Sequence, residues 1–192
     1  MSALIQSILR ISVLSMMIFP VILATGQSNP ENIIRLRQGT VHFISDAPLE
    51  LIEATSTEIL AVIDTVSGKF AFSIPLSSFL GFNSDLQRTH FNENYLESPL
   101  YPKATYSGKM IEAWEPATET PRKVRTKGRL TIHGKSVERL IAAEISRTEK
   151  GWFVRSQFTV PVADHDIKIP RLVSQKIASE IRVTIEAWFD AQ

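Results

Sequence analysis

Apolar and polar residues alternate along the last strand-length segment of the chain, where Ile181, Val183, Ile185, Ala187 and Phe189 are interleaved with Arg182, Thr184, Glu186, Trp188 and Asp190. Successive side chains of an extended chain point to opposite faces, so a period of two sets one face against a core and leaves the other wet; a helix has no such period. The rhythm recurs upstream. Trp152, Val154, Ser156, Phe158, Val160 and Val162 share one face, and Val124, Thr126, Gly128, Leu130 and Ile132 stand against Arg125, Lys127, Arg129 and Thr131. Further strand signals are Ala104, Tyr106, Gly108 and Met110, then Phe70, Phe72 and Ile74 after the Ser67-Gly68 turn, Ile59 to Thr65, Leu49 to Ala54, and Ile33 to Ser45. The spacing predicts an all-β chain of roughly eight antiparallel strands.

In the first of these strands the apolar parity flips: Ile34 and Leu36 belong to one face, Val41 and Phe43 to the other, with Gly39 between them. This predicts a bend or bulge at Gly39, of the kind that lets a long strand curve around a closing barrel. One short helix interrupts the strands over Ser84 to Glu97. Ser84 and Gln87 have capping-box spacing, Phe91 and Tyr95 stand at i,i+4, and Ser98-Pro99 is a stop. Val137 to Ile145 fits either a helix or a strand, and the turns at His133-Gly134 and Lys150-Gly151 favour a strand in a meander. Ala113 to Arg122 is read as a loop, and Asp166 to Ser179 as a longer connection.

Residues 1–26 have the organisation of a secretory signal peptide: Arg10 precedes an apolar run from Ile11 to Leu23, and Ala24-Thr25-Gly26 offers small residues at the spacing a signal peptidase accepts. The apolar run is shorter than the roughly 20 residues a membrane span requires. Cleavage after Gly26 leaves one domain, residues 27–192, with no membrane span, and places it in the periplasm or outside the cell. Removing Arg10 from the chain's 21 basic residues leaves 20 against 20 acidic ones, a net charge of zero. That balance gives no footprint for nucleic acid. The chain has no cysteine, which excludes disulfides, thiolate metal sites and cysteine nucleophiles together.

Groups capable of catalysis are few. The closest to a constellation is Asp164-His165-Asp166, read as a metal site or a base with its orienting carboxylate. Adjacent residues of an extended chain point to opposite faces and do not converge, so the triplet is expected to be solvated in a loop. His42 is expected to face outward and His133 to sit in a turn. No nucleophile elbow, phosphate loop or dinucleotide fingerprint occurs, so neither an enzyme activity, a cofactor nor a metal site is expected. The aromatic residues Phe70, Phe72, Phe79, Phe82, Phe91, Tyr95, Tyr106 and Phe158 fit either a packed core or an apolar pocket, since a barrel of about eight strands can be filled or hold one ligand.

Three stretches, in order, resemble the YceI-like family of bacterial envelope proteins. The first is Arg88-Thr89-His90-Phe91, then Asn94-Tyr95-Leu96 and Tyr101-Pro102-Lys103-Ala104-Thr105-Tyr106; the second is Gly128-Arg129-Leu130-Thr131-Ile132-His133-Gly134-Lys135-Ser136; the third is Phe158-Thr159-Val160 leading to Asp164. The resemblance implies a lipocalin-like antiparallel barrel whose interior holds a long apolar lipid such as a polyisoprenoid. It implies no enzyme activity. Val162 departs from the pattern, standing where many members carry arginine. On this reading Phe70, Phe72, Phe91, Tyr95, Tyr106, Leu130, Ile132 and Phe158 contact the lipid, and Arg88 and His90 meet a polar head group. A homo-oligomer is compatible with it. The competing reading is a filled-core barrel that acts through protein contacts in envelope stress or assembly.

Overall fold

The computed structural model describes residues 32–114 and 120–190. The expected signal peptide and its cleavage point lie outside the described residues, as do 115–119 of the expected loop. The strands are β1 (Ile33–Asp46), β2 (Leu51–Ser56), β3 (Leu60–Asp64), β4 (Lys69–Pro75), β5 (Lys103–Met110), β6 (Arg122–Ile132), β7 (Lys135–Thr148), β8 (Gly151–Pro161) and β9 (Glu180–Asp190), with one α-helix, α1 (Asp85–His90), between β4 and β5. Among the described residues no helix is long and apolar enough to cross a membrane.

All pairings are antiparallel and sequential from β3 to β9, and β9 returns to β1 over Leu36–Ile44, closing the sheet on itself. On its other edge β1 pairs with β2 through Val41–Asp46 and with β3 through Ile33–Arg35. β2 and β3 thus form one wall strand broken at residues 57–59, and the nine segments make a closed eight-stranded barrel. Closure removes the open sheet edges that would otherwise invite association.

The parity flip in β1 has its cause two residues before the glycine. The β1–β9 register slips between Leu36 and Gln38, so the extra residue is Arg37 and the bulge lies there, while Gly39 pairs regularly with Ala187. What excludes a side chain at Gly39 is proximity: a Cβ there would stand 2.8 Å from Ile59 Cγ2 and 3.1 Å from the Glu186 carbonyl oxygen. The ambiguous 137–145 segment is strand throughout, paired to β6 from Arg122–Ile145 to Ile132–Lys135. His133 and Gly134, at φ 50° and 70°, make the two-residue turn whose twist suits a hairpin.

The end of the barrel that carries the β3–β4, β5–β6 and β7–β8 turns is the more tightly packed one. Ile34, Ile63, Phe70, Met110, Val124, Ile145, Val154, Ala187 and Phe189 form one buried cluster there. Trp114, from the β5–β6 connection, stacks edge-on against Trp152 with ring centres 4.8 Å apart. At the opposite end two irregular segments cross the barrel. One runs from Leu76 through α1 to Leu96. Ser84 Oγ accepts from the Gln87 amide and Gln87 Oε1 accepts from the Asn83 amide, so the capping pair works with Asn83 supplying the second donor. The helix widens over Phe91–Tyr95, where the Leu96 amide bonds the Phe91 carbonyl. The segment is tied to the β1–β2 turn by Gln87 Nε2 to Glu50 Oε1 (2.8 Å) and Asn83 Nδ2 to the Leu51 carbonyl (2.9 Å). The second segment, 162–179, meets the same turn: the Leu49 amide donates to the Gln175 carbonyl and the Ala178 amide to Ser45 Oγ.

Candidate functional site

Beneath these two segments lies a cavity of about 210 Å³, lined almost wholly by carbon. Its walls come from inward positions of the strands, among them Val41, Phe43, Ile74, Val183 and Ile185. Its roof comes from Phe79, Phe82, Phe91, Tyr95 and Leu96 on one segment and Ile167, Ile169 and Ile177 on the other. Phe43 and Phe91 stack nearly parallel with centres 5.4 Å apart, and Phe79 and Phe82 pack against Phe91 at 5.8 and 5.1 Å. These four rings fasten the helical segment to the wall through apolar contact alone.

Of the residues singled out from sequence, Phe72, Phe91, Tyr95, Tyr106, Leu130, Ile132 and Phe158 line this cavity. Phe70 lies deeper, on a second cavity of about 60 Å³ within the packed end, which Ile63, Met110, Val124 and Ile145 also line. Phe72, Tyr106, Phe158 and Ile185 border both cavities and so stand between them. Tyr106 is fixed in that place: its hydroxyl lies 2.8 Å from Thr126 Oγ1, which itself donates to the Ile141 carbonyl, so the phenol is the donor of the pair. Burial pushes the Tyr106 pKa up, offset in part by that bond and by the Arg139 charge. Burial also raises Tyr95. Arg88 and His90 line neither cavity; Arg88 is exposed and its Nη2 donates to the Ser77 carbonyl at 3.3 Å.

Sequence reasoning missed the roof residues Ile167, Ile169 and Ile177, because their segment has no regular period to read. Their isoleucines in an otherwise polar connection were the available signal. It missed Val41, Phe43, Val183 and Ile185 as cavity residues for another reason: alternation shows that they face inward and not whether the space they face is filled.

The expectation that Asp164-His165-Asp166 is a solvated, extended loop is corrected. Pro161 ends β8, residues 162–165 make one tight helical turn, and Asp166 takes left-handed backbone angles at φ 56°. This turn drives His165 inward to 0% exposure. Its Nδ1 lies 3.0 Å from the Lys135 carbonyl and must carry the hydrogen, which leaves Nε2 as a bare nitrogen buried with no hydrogen-bond partner. Burial pulls the His165 pKa below its ordinary value of 6.5. The two flanking carboxylates are occupied elsewhere, Asp164 by Arg139 Nη1 at 3.2 Å and Asp166 by Lys135 Nζ at 3.0 Å. His133, in its turn as expected, places Nε2 2.5 Å from Glu97 Oε2 and Nδ1 3.1 Å from the His165 carbonyl. His42 is half-exposed on the outer face of β1, 3.4 Å from Glu53. Among the described residues no group of three His, Cys, Asp or Glu side chains is arranged to hold a metal ion.

A closed eight-stranded antiparallel barrel with a roofed apolar cavity sets the architecture beside which known proteins can be placed. The sequence pattern of the YceI-like domain matches residues 38–189, most of the chain. The chain belongs to the YceI-like family. Among solved structures, a polyisoprenoid binding domain from Saccharophagus degradans, implicated in plant cell wall breakdown, is similar at a TM-score of 0.70 and 16% identity, covering 83% of this chain and 98% of that domain. BcnA of Burkholderia cenocepacia is similar at 0.66 and 15% identity, covering 78% and 94%, and the YceI protein of Campylobacter jejuni at 0.54 and 19%, covering 70% and 82%. At these identities the likeness is one of fold. No curated protein matches the chain.

Proposed function

We propose that this YceI-like protein is an exported, periplasmic lipid-binding protein, with residues 1–26 as its signal peptide, that holds a polyisoprenoid or similar long apolar chain inside the barrel. The observation that carries the reading is the cavity itself: free energy falls when apolar surface leaves water for a roofed space lined by carbon. Phe72, Phe91, Tyr95, Tyr106, Leu130, Ile132 and Phe158 are its proposed contacts, with Phe70 deeper; Arg88 and His90 stand outside the set. At about 210 Å³ the cavity exceeds the roughly 150 Å³ apolar void known to take benzene, and it is smaller than the roughly 300–1,000 Å³ pockets that hold larger ligands. A long chain therefore extends beyond this space, with part of its length outside the cavity.

The proposed role is binding: among the described residues the cavity lining is apolar, with no histidine, carboxylate, lysine or arginine side chain in it. The filled-core alternative requires a solid interior at both ends, and the cavity speaks against it. The test is direct. Native protein purified from an envelope extract, stripped with organic solvent and analysed by mass spectrometry, should yield an apolar lipid near one equivalent; a solvent extract free of lipid, from protein that also takes up no added isoprenoid alcohol, contradicts the reading.

A further inference from the structure

The barrel wall is incomplete at one place. β7 and β8 pair only from Thr148–Gly151 to Ala143–Ser156, although β7 extends back to Lys135 and β8 on to Pro161. On their other edges both strands remain fully paired, β7 to β6 as far as Lys135 and β8 to β9 as far as Pro161. The strands therefore splay apart only from each other, and only at the cavity end, where Phe158 and Val160 of β8 line the cavity.

Side chains of Ser156, His165 and Arg139 bond across the place where the ladder is missing, and Lys135 Nζ reaches Asp166 Oδ2 at its top. At the bottom of the gap Ser156 Oγ donates to the Ala142 carbonyl at 2.7 Å. At the top, where the 162–165 turn folds back on β7, His165 Nδ1 donates to the Lys135 carbonyl at 3.0 Å. Across the middle Arg139 reaches from β7, its Nη2 donating to the Thr159 carbonyl at 2.6 Å and its Nη1 to Asp164 Oδ2 at 3.2 Å. Arg139 occupies an inward-parity position between Val137 and Ile141, yet it keeps 23% of its side chain in solvent because it lies in the gap. The two margins differ from the middle in mobility. Ser156 is a short side chain and His165 is fully buried, whereas Arg139 has a long, rotatable stem whose guanidinium can exchange protein acceptors for water. Swinging it away breaks no backbone pair.

We propose that this gap is the lateral portal through which the apolar chain passes between solvent and cavity, and that Arg139 is its crossbar. The inference rests on the lipid-binding reading and adds the route. An apolar chain threading sideways between two strands avoids unroofing the cavity, which would break the aromatic packing of Phe91 and the Gln87–Glu50 bond together. Two of the five guanidinium hydrogens are used by Thr159 and Asp164, which leaves donors on Arg139 suited to an oxygen-bearing end of the ligand left outside.

The test measures exchange kinetics with the apolar fluorophore N-phenyl-1-naphthylamine as probe. Arg139→Ala should raise association and dissociation rates together, about fivefold or more, with the dissociation constant held within about twofold, because a crossbar alters the barrier and not the bound state. Asn83→Ala, which removes the roof's side-chain tie to the Leu51 carbonyl and lines neither cavity, should leave both rates near wild type. The chain has no cysteine, so Leu140→Cys with Thr159→Cys creates a unique pair across the gap; joining the two thiols with a short bifunctional reagent should slow exchange at least tenfold relative to the same variant unjoined. Unchanged rates in Arg139→Ala, or free exchange in the joined protein, overturn the portal while leaving the lipid reading in place. Wild type that takes up no probe overturns the lipid reading and the portal with it.

Discussion

The two ends of the barrel are made by the same strands and differ in what meets their inward side chains. At the packed end Val124, Ala187 and Phe189 are 0–1% exposed, only a small cavity of about 60 Å³ remains, and Trp114 packs against Trp152 at the mouth. At the hollow end the inward residues are equally apolar, yet they face a void roofed by residues 76–96 and 162–179. Packing at the first end is determined strand against strand. At the second the roof is attached by side-chain bonds, stacked rings and a few backbone bonds, among them the Thr55–Leu80 bridge to β2, so the interior there is covered without being filled. Stability and binding are accordingly assigned to opposite ends, with Phe72, Tyr106, Phe158 and Ile185 at the border.

The largest expected effect separates the ends by stability. Phe189→Ala should lower unfolding free energy by about 3–5 kcal/mol, the range for emptying a close-packed aromatic site. Phe158→Ala borders existing voids on both sides and loses fewer contacts, so it should lower stability by about half as much. Urea midpoints of the two variants check this; equal losses would mean that the ends are packed alike. The next effect concerns the seam where β1 passes close to its neighbours. Gly39→Ala should destabilise by about 1–3 kcal/mol through overpacking against Ile59 and the Glu186 carbonyl, with no contribution from glycine-only backbone angles. A neutral substitution would show that β1 yields there.

The smallest effect is confined to acid and to the hollow end, since His165 is the one ionisable side chain among the buried described residues. Its pKa in the folded protein lies below 6.5, so the unfolded chain binds the proton more readily. Stability from this group is complete above the ordinary value of 6.5 and falls as the pH drops below it, until the folded-state pKa is passed. His165→Asn keeps a donor for the Lys135 carbonyl and removes the titration. Denaturation midpoints at about pH 7.5 and about pH 5 should differ less in this variant than in wild type; an unaltered difference would move the acid sensitivity to other groups.

Strand number, antiparallel order and the capped helix were legible because each has a local physical signature: the two-residue period of β6, β8 and β9, the Ser84–Gln87 cap, and the His133-Gly134 turn. The bulge was legible as a parity flip, and its placement at Gly39 rather than Arg37 failed because the flip marks only an interval between Leu36 and Val41. The cavity was half legible. Alternation identified inward residues such as Leu130 and Phe158, whereas the roof over them depends on residues 162–179, whose fold follows from tertiary contacts at Ser45 and Leu49. His165 was misread for the same reason: a helical turn after Pro161 replaces the extended backbone on which its solvation was argued. The β7–β8 gap was invisible, because a splayed strand keeps the alternation of a paired one.

Whether the hollow end holds ligand is decided most directly by Leu130→Trp, measured for lipid content and melting temperature on the same purified sample. Leu130 lines the larger cavity and not the smaller one, so the added ring enters the space assigned to lipid. The account predicts that recovered lipid falls sharply while the melting temperature of the lipid-stripped protein stays near that of stripped wild type. Undiminished lipid accompanied by a loss of about 1–3 kcal/mol, the signature of overpacking a filled core, would contradict it.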